Sequence, residues 1–592
     1  MCGISGTFAP DGGLDRSLCV AMHNRLTHRG PDEAYSLNTA SLSAKLARLG
    51  MIGLQNGWQP VEEASGRFVA LTNGEIYNAE SLFRELGIPR PSGNGVDVAI
   101  LPELVARYGI DGLEKIDGQF ASVIHDRLEN TVYLARDRFG ICPLFYTTAG
   151  HGTHFCSELK PLVQSVPGPW RLDYAAVDQY FSLGNIVAPR TLVAEVSAVE
   201  PGCAVKISED GRKTLRYWRY GTFTPTKGPV DAEAIREGVR DSIAVRLHSD
   251  VEIGSYLSGG FDSTAILMDA ATLSKGPMRS FSVTFDDPRL DEGRYQRSVA
   301  AVAGSVHEEV QCAPKDIAAR FEKMVRHCCF PQRETYNVSA MMLSERVHKA
   351  GIKGVVSGEG ADELFFGYDS YAFDSVRRRP PKASARNEQA WGRADFSWEV
   401  DLDRVEGRRR TFLSDHARQE IVGREFWRNR LIPYSETELT GLSPMQLRSI
   451  ADVYVQLGGH LLGDHGDAMV MANSIEGRYP FLGNSVVSLA LQVPDDKKVV
   501  NFEGKTCLKE AYRDTVPDQV MNRAKHGFTA YDLKSIVDHQ LWQDWQEMVA
   551  SVEALNPECM AGPSPETVNE KWDFRLGAIS LAMIVDELGL RC

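Results

Sequence analysis

Cys2 is the first residue in this sequence whose position indicates chemistry, because it directly follows the initiator methionine. Removal of that methionine would leave one residue that carries both a thiol and a free α-amine. An α-amine has a pKa of about 7.7–8.0 and a free thiol one of about 8.5, so this residue could supply both base and nucleophile near neutral pH. A cysteine at position 2 is by itself more often a coincidence, so its interpretation depends on residues downstream.

A second group of chemically suited residues lies between positions 48 and 97. The side-chain amide of Asn73 and the backbone N–H of Gly74 could direct two donors at a developing oxyanion. Taken alone, the Asn-Gly pair is more typical of a hairpin turn. Arg48 could bind a substrate carboxylate as a fork, and Glu75 and Asp97 could hold an ammonium group. Together these residues suit a free α-amino acid, although each charge alone would be interpreted as a surface residue.

Residues 250–264 have the pattern of a strand that runs into a glycine-rich turn and then a helix. Backbone N–H groups of Ser258–Gly260, the hydroxyls of Ser258 and Ser263, and the start of that helix would form a cradle for phosphate. No lysine stands where a Walker A loop requires one, and Asp262 could instead carry Mg²⁺. A bare Gly-Gly turn is otherwise more often structural.

A second glycine-rich turn, Ser357–Glu363, follows another apolar strand. Asp362 could share Mg²⁺ with Asp262, so that carboxylates and phosphates would hold the metal. Glu359 would lie close to the reacting centre. The alternative is a solvated turn, because three of these seven residues are acidic.

Gly504-Lys505-Thr506 resembles the end of a Walker A motif, but Val499 stands where this motif needs its upstream glycine. We therefore interpret these residues as the start of a helix and assign them no role in phosphate binding. The prediction of a phosphate site rests on the two glycine-rich turns alone.

These candidate sites need two different kinds of scaffold. Residues 1–220 have a β-rich pattern, with short apolar stretches separated by Gly, Asn and Asp turns. Residues 221–230 are rich in Pro, Gly and Thr, which is typical of a linker. In residues 231–592 helical spacing, first seen over Ala232–Leu247, alternates with buried strands such as Ile352–Val356, which predicts a parallel α/β sheet. We therefore expect two domains joined by a short linker.

The first of these regions resembles the class II glutamine amidotransferase domain. The segments that carry the resemblance are MCGISG at the N-terminus, HRGPDE (28–33), ARLG (47–50), NGEIYN (73–78) and ARDRFGICPLFY (135–146). The resemblance implies an α+β N-terminal-nucleophile hydrolase, a four-layer αββα sandwich with Cys2 as nucleophile. It further implies an oxyanion hole made by Asn73 and Gly74, and it implies the following glutamine-binding residues: Arg48, Asn73, Glu75 and Asp97. Cys142 departs from the family, which usually has Lys at this position.

The second region resembles the PP-loop ATP pyrophosphatase domain of glutamine-hydrolysing asparagine synthetases. The matching segments are SGGFDST (258–264), SGEGADELFFGY (357–368), NSIEGRYPFL (473–482) and NRAKHGF (522–528). The resemblance implies that ATP is split between its α- and β-phosphates, which releases pyrophosphate and adenylates a carboxylate. The implied ATP-binding residues are Leu257, Ser258, Gly259, Gly260, Asp262, Ser263, Val283, Ser357 and Gly358. Glu359 would be needed to form the acyl-adenylate and Lys525 would stabilise negative charge, while Asp262 and Asp362 would hold Mg²⁺.

The presence of both Cys2 and Glu359 separates this sequence from the related β-lactam synthetases, which carry Tyr at the second position and have lost the nucleophile. The pair favours ammonia taken from glutamine over ring closure by an internal amine. Ammonia at neutral pH is mostly protonated and then not nucleophilic, so it should travel inside the protein. We therefore predict an interdomain tunnel. Phosphoribosyl amidotransferases share the first domain but would lack the SGGFDS module.

The acceptor side matches the family less closely. Gly466–Ala472 carries Ala468 and Val470 where the family has Arg and Ser, and Cys328–Glu334 replaces an Asp-Glu-Pro segment. The first hypothesis is therefore an asparagine synthetase that acts on aspartate. The second is a synthetase of a specialised biosynthetic pathway that uses the same chemistry on another carboxylic acid. The third, a non-catalytic regulatory or binding protein, is disfavoured because the catalytic motifs are intact.

Bulk composition limits the remaining classes of function. The 592 residues include 65 Lys+Arg and 79 Asp+Glu, and the resulting charge of −14 disfavours general affinity for nucleic acid or anionic membranes. The eleven cysteines form no CxxC pair, and neither a signal peptide nor a long apolar run is apparent. We therefore expect a cytoplasmic enzyme with reduced thiols and small-molecule partners (glutamine, ATP and a carboxylic acid), and we consider a homodimer as its assembly.

The stretch 377–410 is polar, with RRRPP at its start and GRRR at its end. We interpret it as a solvated surface excursion. The alternative is a docking site for a partner or an acidic ligand.

Overall fold

The computed structural model describes residues 1–90, 96–150, 152–226, 230–376, 382–561 and 573–592. Within these residues, two antiparallel sheets form from the first part of the chain and one parallel sheet forms from the second. The predicted fold class, an α+β sandwich followed by an α/β domain, is confirmed. The exact domain boundaries remain a prediction.

Twelve described strands build the two antiparallel sheets. They are β1 (Gly3–Phe8), β2 (Glu33–Asn38), β3 (Leu42–Arg48), β4 (Val61–Glu62), β5 (Phe68–Ile76), β6 (Gly118–Asp126), β7 (Thr131–Arg136), β8 (Phe145–Ala149), β9 (Gly152–Cys156), β10 (Val196–Ala198), β11 (Cys203–Ser208) and β12 (Gly211–Arg216). The first sheet has the order β10-β8-β9-β1-β3-β2 and the second β12-β11-β7-β6-β5-β4. This order puts β1, which Cys2 directly precedes, and β5, which contains Asn73 and Gly74, in the interiors of different sheets.

The alternation of side chains along β5 explains the layering. Val69 and Leu71 belong to the core between the two sheets, whereas Phe68 and Ala70 point to the opposite face and pack in a second core with Leu101. Helices cover both outer faces, so the layers run helix, sheet, sheet, helix. The helices of this part are Arg16–Asn24, Ala79–Leu86, Ile100–Tyr108, Leu159–Ser165 and Tyr174–Leu183.

Five parallel strands form the third sheet, in the order β15-β14-β13-β16-β17. They are β13 (Ile253–Tyr256), β14 (Arg279–Phe285), β15 (Val306–Cys312), β16 (Gly354–Val356) and β17 (Glu476–Arg478). The chain goes to one side of β13 with β14 and returns on its other side with β16. In such sheets ligands bind in the crevice outside the carboxyl ends of the two central strands. Both predicted glycine-rich turns follow these two strands.

Helices of the second part surround this sheet and extend beyond it. They are Ala232–Leu247, Phe261–Leu273, Gly293–Ala303, Pro314–Cys328, Tyr336–Lys349, Ala361–Phe365, Asp369–Val376, Ala385–Trp391, Val405–Phe412, Asp415–Ile421, Glu436–Leu439, Pro444–Ala451, Ala468–Met471, Asn484–Gln492, Asp495–Lys498, Thr506–Ala511, Asp518–Met521, Leu533–Ile536, His539–Ala550 and Phe574–Leu588. The predicted helix Ala232–Leu247 is observed with the same bounds. Asp231 caps its N-terminus, and its apolar residues at a spacing of four are buried.

The chain between Asp452 and Asp467 is wound as π-helix, in the segments Asp452–Leu461 and Gly463–Asp467. We call these two segments together the π region. Such winding is rare and is enriched at functional sites, because it re-aims side chains within a helix. The sequence patterns did not predict it.

The described part of the polar stretch 377–410 is not a solvated excursion, so that interpretation is wrong for these residues. Trp391 is fully buried, and Arg409 forms an ion pair with Asp178 of the first part of the chain, with 2.6 Å between Nε and Oδ1. Burial of the guanidinium is offset by this paired carboxylate. Residues 377–381, which include the RRRPP motif, lie outside the described residues.

The predicted linker also makes specific contacts where it is described. The amide of Thr224 donates to the carbonyl of Leu491 at 3.1 Å, and that of Thr226 donates to Gln492 at 2.9 Å. Residues 227–229 lie outside the described residues. The stretch therefore follows the end of helix Asn484–Gln492 as far as it is described.

All eleven cysteines are free thiols. Nine of them are buried, Cys328 is partly buried, and Cys592 is exposed. Among the helices of the described residues, none combines the length and the apolar character that crossing a bilayer requires.

Candidate active site

Cys2 lies directly before β1, at the inner end of the first domain. Its Sγ is 3.9 Å from the carbonyl oxygen of Leu49, and its backbone N–H donates to the side-chain oxygen of Asn73. Burial raises the pKa of the Cys2 thiol. The amine of Met1 is also buried and forms an ion pair with Glu476 on β17. The predicted nucleophile thus sits against the second domain.

Asn73 and Gly74, the predicted oxyanion-hole residues, are neighbours on β5. The side-chain nitrogen of Asn73 is buried and has no hydrogen-bond partner among the described residues, so it is available to a ligand. Gly74 has a φ of +138°, and a Cβ at this position would lie 2.0 Å from the carbonyl oxygen of Gln119. Only glycine fits there.

Arg48 ends β3 and is already bound to protein groups. Its guanidinium contacts Glu33 and donates to the carbonyl oxygens of Ile52 at 2.7 Å and Gly53 at 3.0 Å. A substrate carboxylate would have to share or replace these partners. The role of Arg48 as a carboxylate clamp stays a prediction.

Glu75 and Asp97 form a pair of buried carboxyl groups beside the oxyanion residues. Burial, and then the charge of Asp97, raises the pKa of Glu75 well above its usual range. Burial likewise raises the pKa of Asp97, which accepts a hydrogen bond from the amide of Ile76. A bound ammonium group would stabilise the ionised form of both, which is the chemistry expected of a site for an α-amine.

Arg29 connects the two predicted sites. This fully buried guanidinium donates to the carbonyl of Cys2 at 2.9 Å and to both carboxylate oxygens of Asp467 at 2.7 and 2.8 Å. Glu158 contributes a further contact at 3.1 Å. Neither Arg29 nor Asp467 was predicted as a site residue, although Arg29 belongs to the HRGPDE segment. The sequence signal that could have indicated a role for Arg29 is its charge within the HRGPDE segment, which carries the family resemblance.

The first glycine-rich turn has the predicted form of a phosphate cradle. The hydroxyls of Ser258 and Ser263 are 2.9 Å apart, Gly259 has a φ of +82°, and helix Phe261–Leu273 begins directly after the turn. The helix that was predicted to follow the turn is observed, and Asp262 lies in its first turn. Backbone N–H groups at this helix start can receive phosphate oxygens.

The second glycine-rich turn approaches the first closely. A Cβ on Gly358 would lie 3.1 Å from the Cβ of Asp262, and the amide of Ser357 donates to the carbonyl of Arg478 at 2.9 Å. Glu359 lines a cavity that both turns border, and its buried Oε2 has no hydrogen-bond partner among the described residues. Burial raises the pKa of Glu359. This carboxyl group is available for a contact to substrate.

Two lysines hold the acidic pair of the nucleotide site. The Nζ of Lys505 is 2.6 Å from Asp262 and 2.7 Å from Asp362, and Lys525 also contacts Asp362 and donates to the carbonyl of Gly367 at 3.1 Å. Burial opposes ionisation of Asp362, but the two ammonium groups outweigh it and hold its pKa below the usual range. Lys505 was dismissed with its Walker-like motif. That exclusion of a site role is wrong, since its side chain reaches the site from the cap of helix Thr506–Ala511.

One cavity of about 1020 Å³ is lined by both glycine-rich turns and by Lys525. Leu257, Ser258 and Val283, which are among the residues predicted to bind ATP, line the part of it that we call the nucleotide end. Its other end, which we call the acceptor end, is lined by residues 333–343, 456–470 and 528, and these include the following side chains: Arg333, Glu334, Tyr336, Leu343, Gln456, His465, Met469, Val470 and Phe528. The cavity is thus long enough to hold a nucleotide and a second substrate together.

The departures from the family pattern have different surroundings. Val470, and Arg333 and Glu334 at the end of the Cys328–Glu334 segment, border the acceptor end, where they could alter which acid is accepted. The backbone carbonyl of Ala468 accepts from His327 Nε2 at 3.0 Å. Cys142 is fully buried, and its amide donates to Asp137 at 3.0 Å. Nothing in the structure explains why cysteine stands at this position.

Comparisons with known proteins agree with this division. Residues 1–218 match a family model described as glutamine amidotransferase domain, and residues 234–561 match one described as asparagine synthase. Glutamine-hydrolysing asparagine synthetase 1 of Bacillus subtilis is 30% identical over 557 residues, covering 89% of this chain and 87% of that protein. A putative glutamine-hydrolysing asparagine synthetase of Mycobacterium tuberculosis is also 30% identical, with the same coverage. A protein named amidase chry2 from Gibberella zeae is 26% identical, covering 85% of this chain and 83% of its own length.

Proposed function

The chain belongs to the asparagine synthase family of glutamine-hydrolysing carbon–nitrogen ligases, and we propose that it makes an amide from glutamine, ATP and a carboxylic acid. Glutamine is hydrolysed at Cys2, and the released ammonia attacks a carboxylate that the second domain has adenylated. The observation that carries this proposal is Arg29, which binds the carbonyl of Cys2 and the carboxylate of Asp467 at once and so links the two sites.

The glutaminase half rests on the arrangement around Cys2. Once Met1 is removed, the α-amine of Cys2 acts as base for its own thiol, which attacks the carboxamide carbon of glutamine. The free side-chain nitrogen of Asn73 and the N–H of Gly74 stabilise the oxyanion that forms. Glu75 and Asp97 receive the α-ammonium group, and Arg48 receives the α-carboxylate.

The synthetase half rests on the two glycine-rich turns and their counter-charges. The cradle formed by Ser258–Gly260 and Ser263 binds the phosphates, Leu257 and Val283 border the nucleoside, and Ser357 and Gly358 complete the ATP site. Lys505 and Lys525 neutralise charge on the departing pyrophosphate. Glu359 lies beside the acid that becomes adenylated, with its buried oxygen free to contact it.

The residues present fit a magnesium ion between the two turns. One carboxylate oxygen of Asp262 is buried without a hydrogen-bond partner among the described residues, and Asp362 lies across the same lysine. Mg²⁺ is held in such sites by one or two carboxylates together with substrate phosphates. When bound there with ATP, it would neutralise negative charge on the phosphates.

Aspartate is the first candidate for the acceptor acid. Arg333 and Glu334 border the acceptor end of the cavity and carry the opposite charges that an α-carboxylate and an α-ammonium group need. The second candidate is another carboxylic acid of a specialised pathway, which Ala468, Val470 and the amidase-named relatives favour. We also propose the domains 1–220 and 231–592 with 221–230 as linker, a cytoplasmic location and a homodimer as assembly.

The acceptor is identified by pyrophosphate release across a panel of carboxylic acids, with ATP and glutamine present. Release above background with aspartate supports an asparagine synthetase. Release with a different acid only, and none with aspartate, supports the second candidate. Absence of release with every acid would contradict the proposed function and favour a non-catalytic role.

The predicted tunnel is tested with Cys2→Ala. This variant should lose glutamine-dependent synthesis completely, yet keep synthesis from added ammonium, because the second site does not need the thiol. Cys19→Ala, which removes another buried thiol of the same domain, should keep both activities. If Cys2→Ala loses both activities while remaining folded, ammonia does not pass between two separate sites as proposed.

A further inference from the structure

Three polar residues at the acceptor end form a linear hydrogen-bonded chain that the proposed reaction has not used. The hydroxyl of Tyr336 is bonded to Nε2 of His460, and Nδ1 of His460 is 2.8 Å from Oδ1 of Asp464. All three side chains are buried, and Tyr336 lines the cavity that contains Glu359. An acid, an imidazole and a hydroxyl in this order form the arrangement that activates a hydroxyl in proton transfer.

Neighbouring groups set the direction of every hydrogen bond in this chain. Asp464 also accepts from the side-chain nitrogen of Asn337 at 3.0 Å and from that of Gln332 at 3.3 Å, so it acts as acceptor throughout. His460 therefore carries its proton on Nδ1, and its Nε2 accepts the proton of the Tyr336 hydroxyl. The phenol in turn keeps its remaining lone pairs for a group in the cavity.

The same network also orients His465. Nδ1 of His465 is 2.7 Å from the side-chain oxygen of Asn337, whose nitrogen is engaged by Gln332 at 2.7 Å. His465 therefore donates from Nδ1, while its ring packs edge-on against that of Tyr336. Three further side chains, Gln332, Asn337 and His465, thus hold the Tyr336–His460–Asp464 chain in one arrangement.

The π region positions this network. His460 is the penultimate residue of its first segment, and Asp464 and His465 lie in the second. Tyr336, by contrast, begins helix Tyr336–Lys349 and lines the cavity. The relay therefore spans two elements, and the wider π-helical turn aims both the imidazole and the carboxylate at the cavity wall.

We propose that Tyr336 removes the proton from the nitrogen that attacks the acyl-adenylate, with His460 and Asp464 as positioning residues. The inference rests on the proposed function. The lone pair of ammonia forms the new C–N bond, and the C–O bond to AMP breaks with its electrons going to the phosphate oxygen. One N–H proton passes to the Tyr336 oxygen, the phenolic proton passes to Nε2 of His460, and the resulting imidazolium is stabilised by Asp464. Solvent then receives the proton.

The charges around the relay agree with this role. Burial, followed by the negative charge of Glu334, raises the pKa of Tyr336 well above its usual range, so the phenol keeps its proton until the imidazole accepts it. The other charged or titratable groups that act on it are Arg333, Asp464 and Glu359, and His465 packs against its ring. Burial lowers the pKa of His465, which keeps that ring neutral beside His460.

The test separates adenylation from the nitrogen step. The acid with the largest pyrophosphate release on the wild-type panel is used, with hydroxylamine as nitrogen donor because its nitrogen is unprotonated near neutral pH. Tyr336→Phe should keep first-turnover pyrophosphate release within about 2-fold, while hydroxamate formation falls by about 100-fold or more. Tyr217→Phe, which removes a buried hydroxyl bonded to Arg136 in the first domain, should change neither.

The positioning residues are tested by the same separation of steps and by a double variant. His460→Gln and Asp464→Asn should slow hydroxamate formation but keep first-turnover pyrophosphate release within about 2-fold, and Tyr336→Phe combined with His460→Gln should be no slower than the worse single variant.

Four results would overturn the relay. They are equal loss of adenylation and hydroxamate formation in folded Tyr336→Phe, full retention of both in that variant, equal loss of both in folded His460→Gln, or additive effects in the double variant. If the wild-type protein releases no pyrophosphate with any acid of the panel, the proposed function is contradicted, and the relay with it. Thermal unfolding of each variant identifies those that fail to fold. If Asp464→Asn does not fold, Asp464→Glu is used instead, and if His460→Gln does not fold, His460→Asn is used.

Discussion

Single buried charges hold both sites together. Lys505 joins Asp262 to Asp362, and Arg29 joins Cys2 to Asp467. A buried ion pair contributes little to stability on average, but removal of one member leaves an uncompensated charge that costs several kcal/mol, about 3–5. These cations are therefore expected to be far less replaceable than lysines and arginines on the surface.

Replacement of Lys505 tests this at the nucleotide site. Lys505→Met should reduce pyrophosphate release by about 100-fold or more, because the phosphates lose a fixed counter-charge and the two carboxylates repel each other. Lys497→Met, at an exposed lysine near Asp496, is the matched control and should retain wild-type release. Equal pyrophosphate release by the two variants would contradict a role for Lys505 in binding the phosphates.

A pH prediction follows for His465. Burial, followed by repulsion from His460, lowers its pKa from 6.5 to about 4. Between these values the unfolded chain binds more protons than the folded one, so His465 costs stability as pH falls from 6.5 towards 4, by up to about 1.4 kcal/mol per pH unit. His465→Asn, whose side-chain nitrogen can replace Nδ1, should therefore lose less stability over this window in urea unfolding.

The control for this experiment is His416→Asn, a substitution at an exposed histidine. Its loss of stability between pH 6.5 and pH 4 should match that of the wild type. A His465→Asn variant that also follows the wild type would show that the folded protein accepts a proton at this ring without cost.

At the level of elements, the π region stands out because its glycines have opposite surroundings. A Cβ on Gly466 would lie 2.7 Å from the hydroxyl of Tyr479 and 2.8 Å from the carbonyl of Leu461, whereas a Cβ on Gly463 would meet nothing within 4 Å. Both glycines belong to the segment Gly463–Asp467. Of the two glycines in this segment, only Gly466 is closely packed.

Alanine substitutions at these two positions should separate packing from flexibility. Gly466→Ala should destabilise the protein by about 1–3 kcal/mol through overpacking. Gly463→Ala should be neutral or stabilising by up to about 1 kcal/mol, because alanine restricts the unfolded chain and meets no atom. Urea denaturation measures both. Similar losses in the two variants would mean that the π winding itself rejects a side chain.

Elements with a local cause could be predicted, and elements that tertiary contacts impose could not. The N-cap and the buried face of helix Ala232–Leu247 are both indicated by its local sequence. The turn at Ser258–Gly260 is likewise indicated by the apolar strand that precedes it. The π region has no such pattern, because its winding depends on what packs against it. Lys505 was missed for a similar reason. Its motif lacks the Walker glycine, and its contacts with Asp262 and Asp362, which are more than 140 residues away in the sequence, arise only in the tertiary structure.

At the level of the whole molecule, buried polar contacts couple the two domains. The Arg29–Asp467 pair and the contact of Arg409 with Asp178 both cross between them, and the latter comes from the polar stretch that had been interpreted as surface. Buried charges at such a boundary fix one relative placement, since any other placement would leave them unpaired. This placement is what a passage for ammonia would require.

Asp467→Asn should uncouple the two activities. The variant weakens the Arg29 contact across the boundary, so more ammonia should escape and the ratio of glutamate formed to amide formed should rise several-fold. Glu158→Gln removes a charge from the same arginine but within the first domain, and it should leave the ratio unchanged. Parallel changes in both variants would mean that the charge of Arg29, rather than the contact across the boundary, controls coupling.

The burial of most cysteines should allow one thiol, that of Cys592, to be labelled selectively. With nine cysteines buried and Cys328 partly so, a maleimide dye at low excess should react first with Cys592 in the Cys2→Ala variant, which lacks the proposed nucleophile. Fluorescence or tethering studies would then need no cysteine-free background. A second equivalent of dye taken up only after mild denaturant would report the opening of the interior.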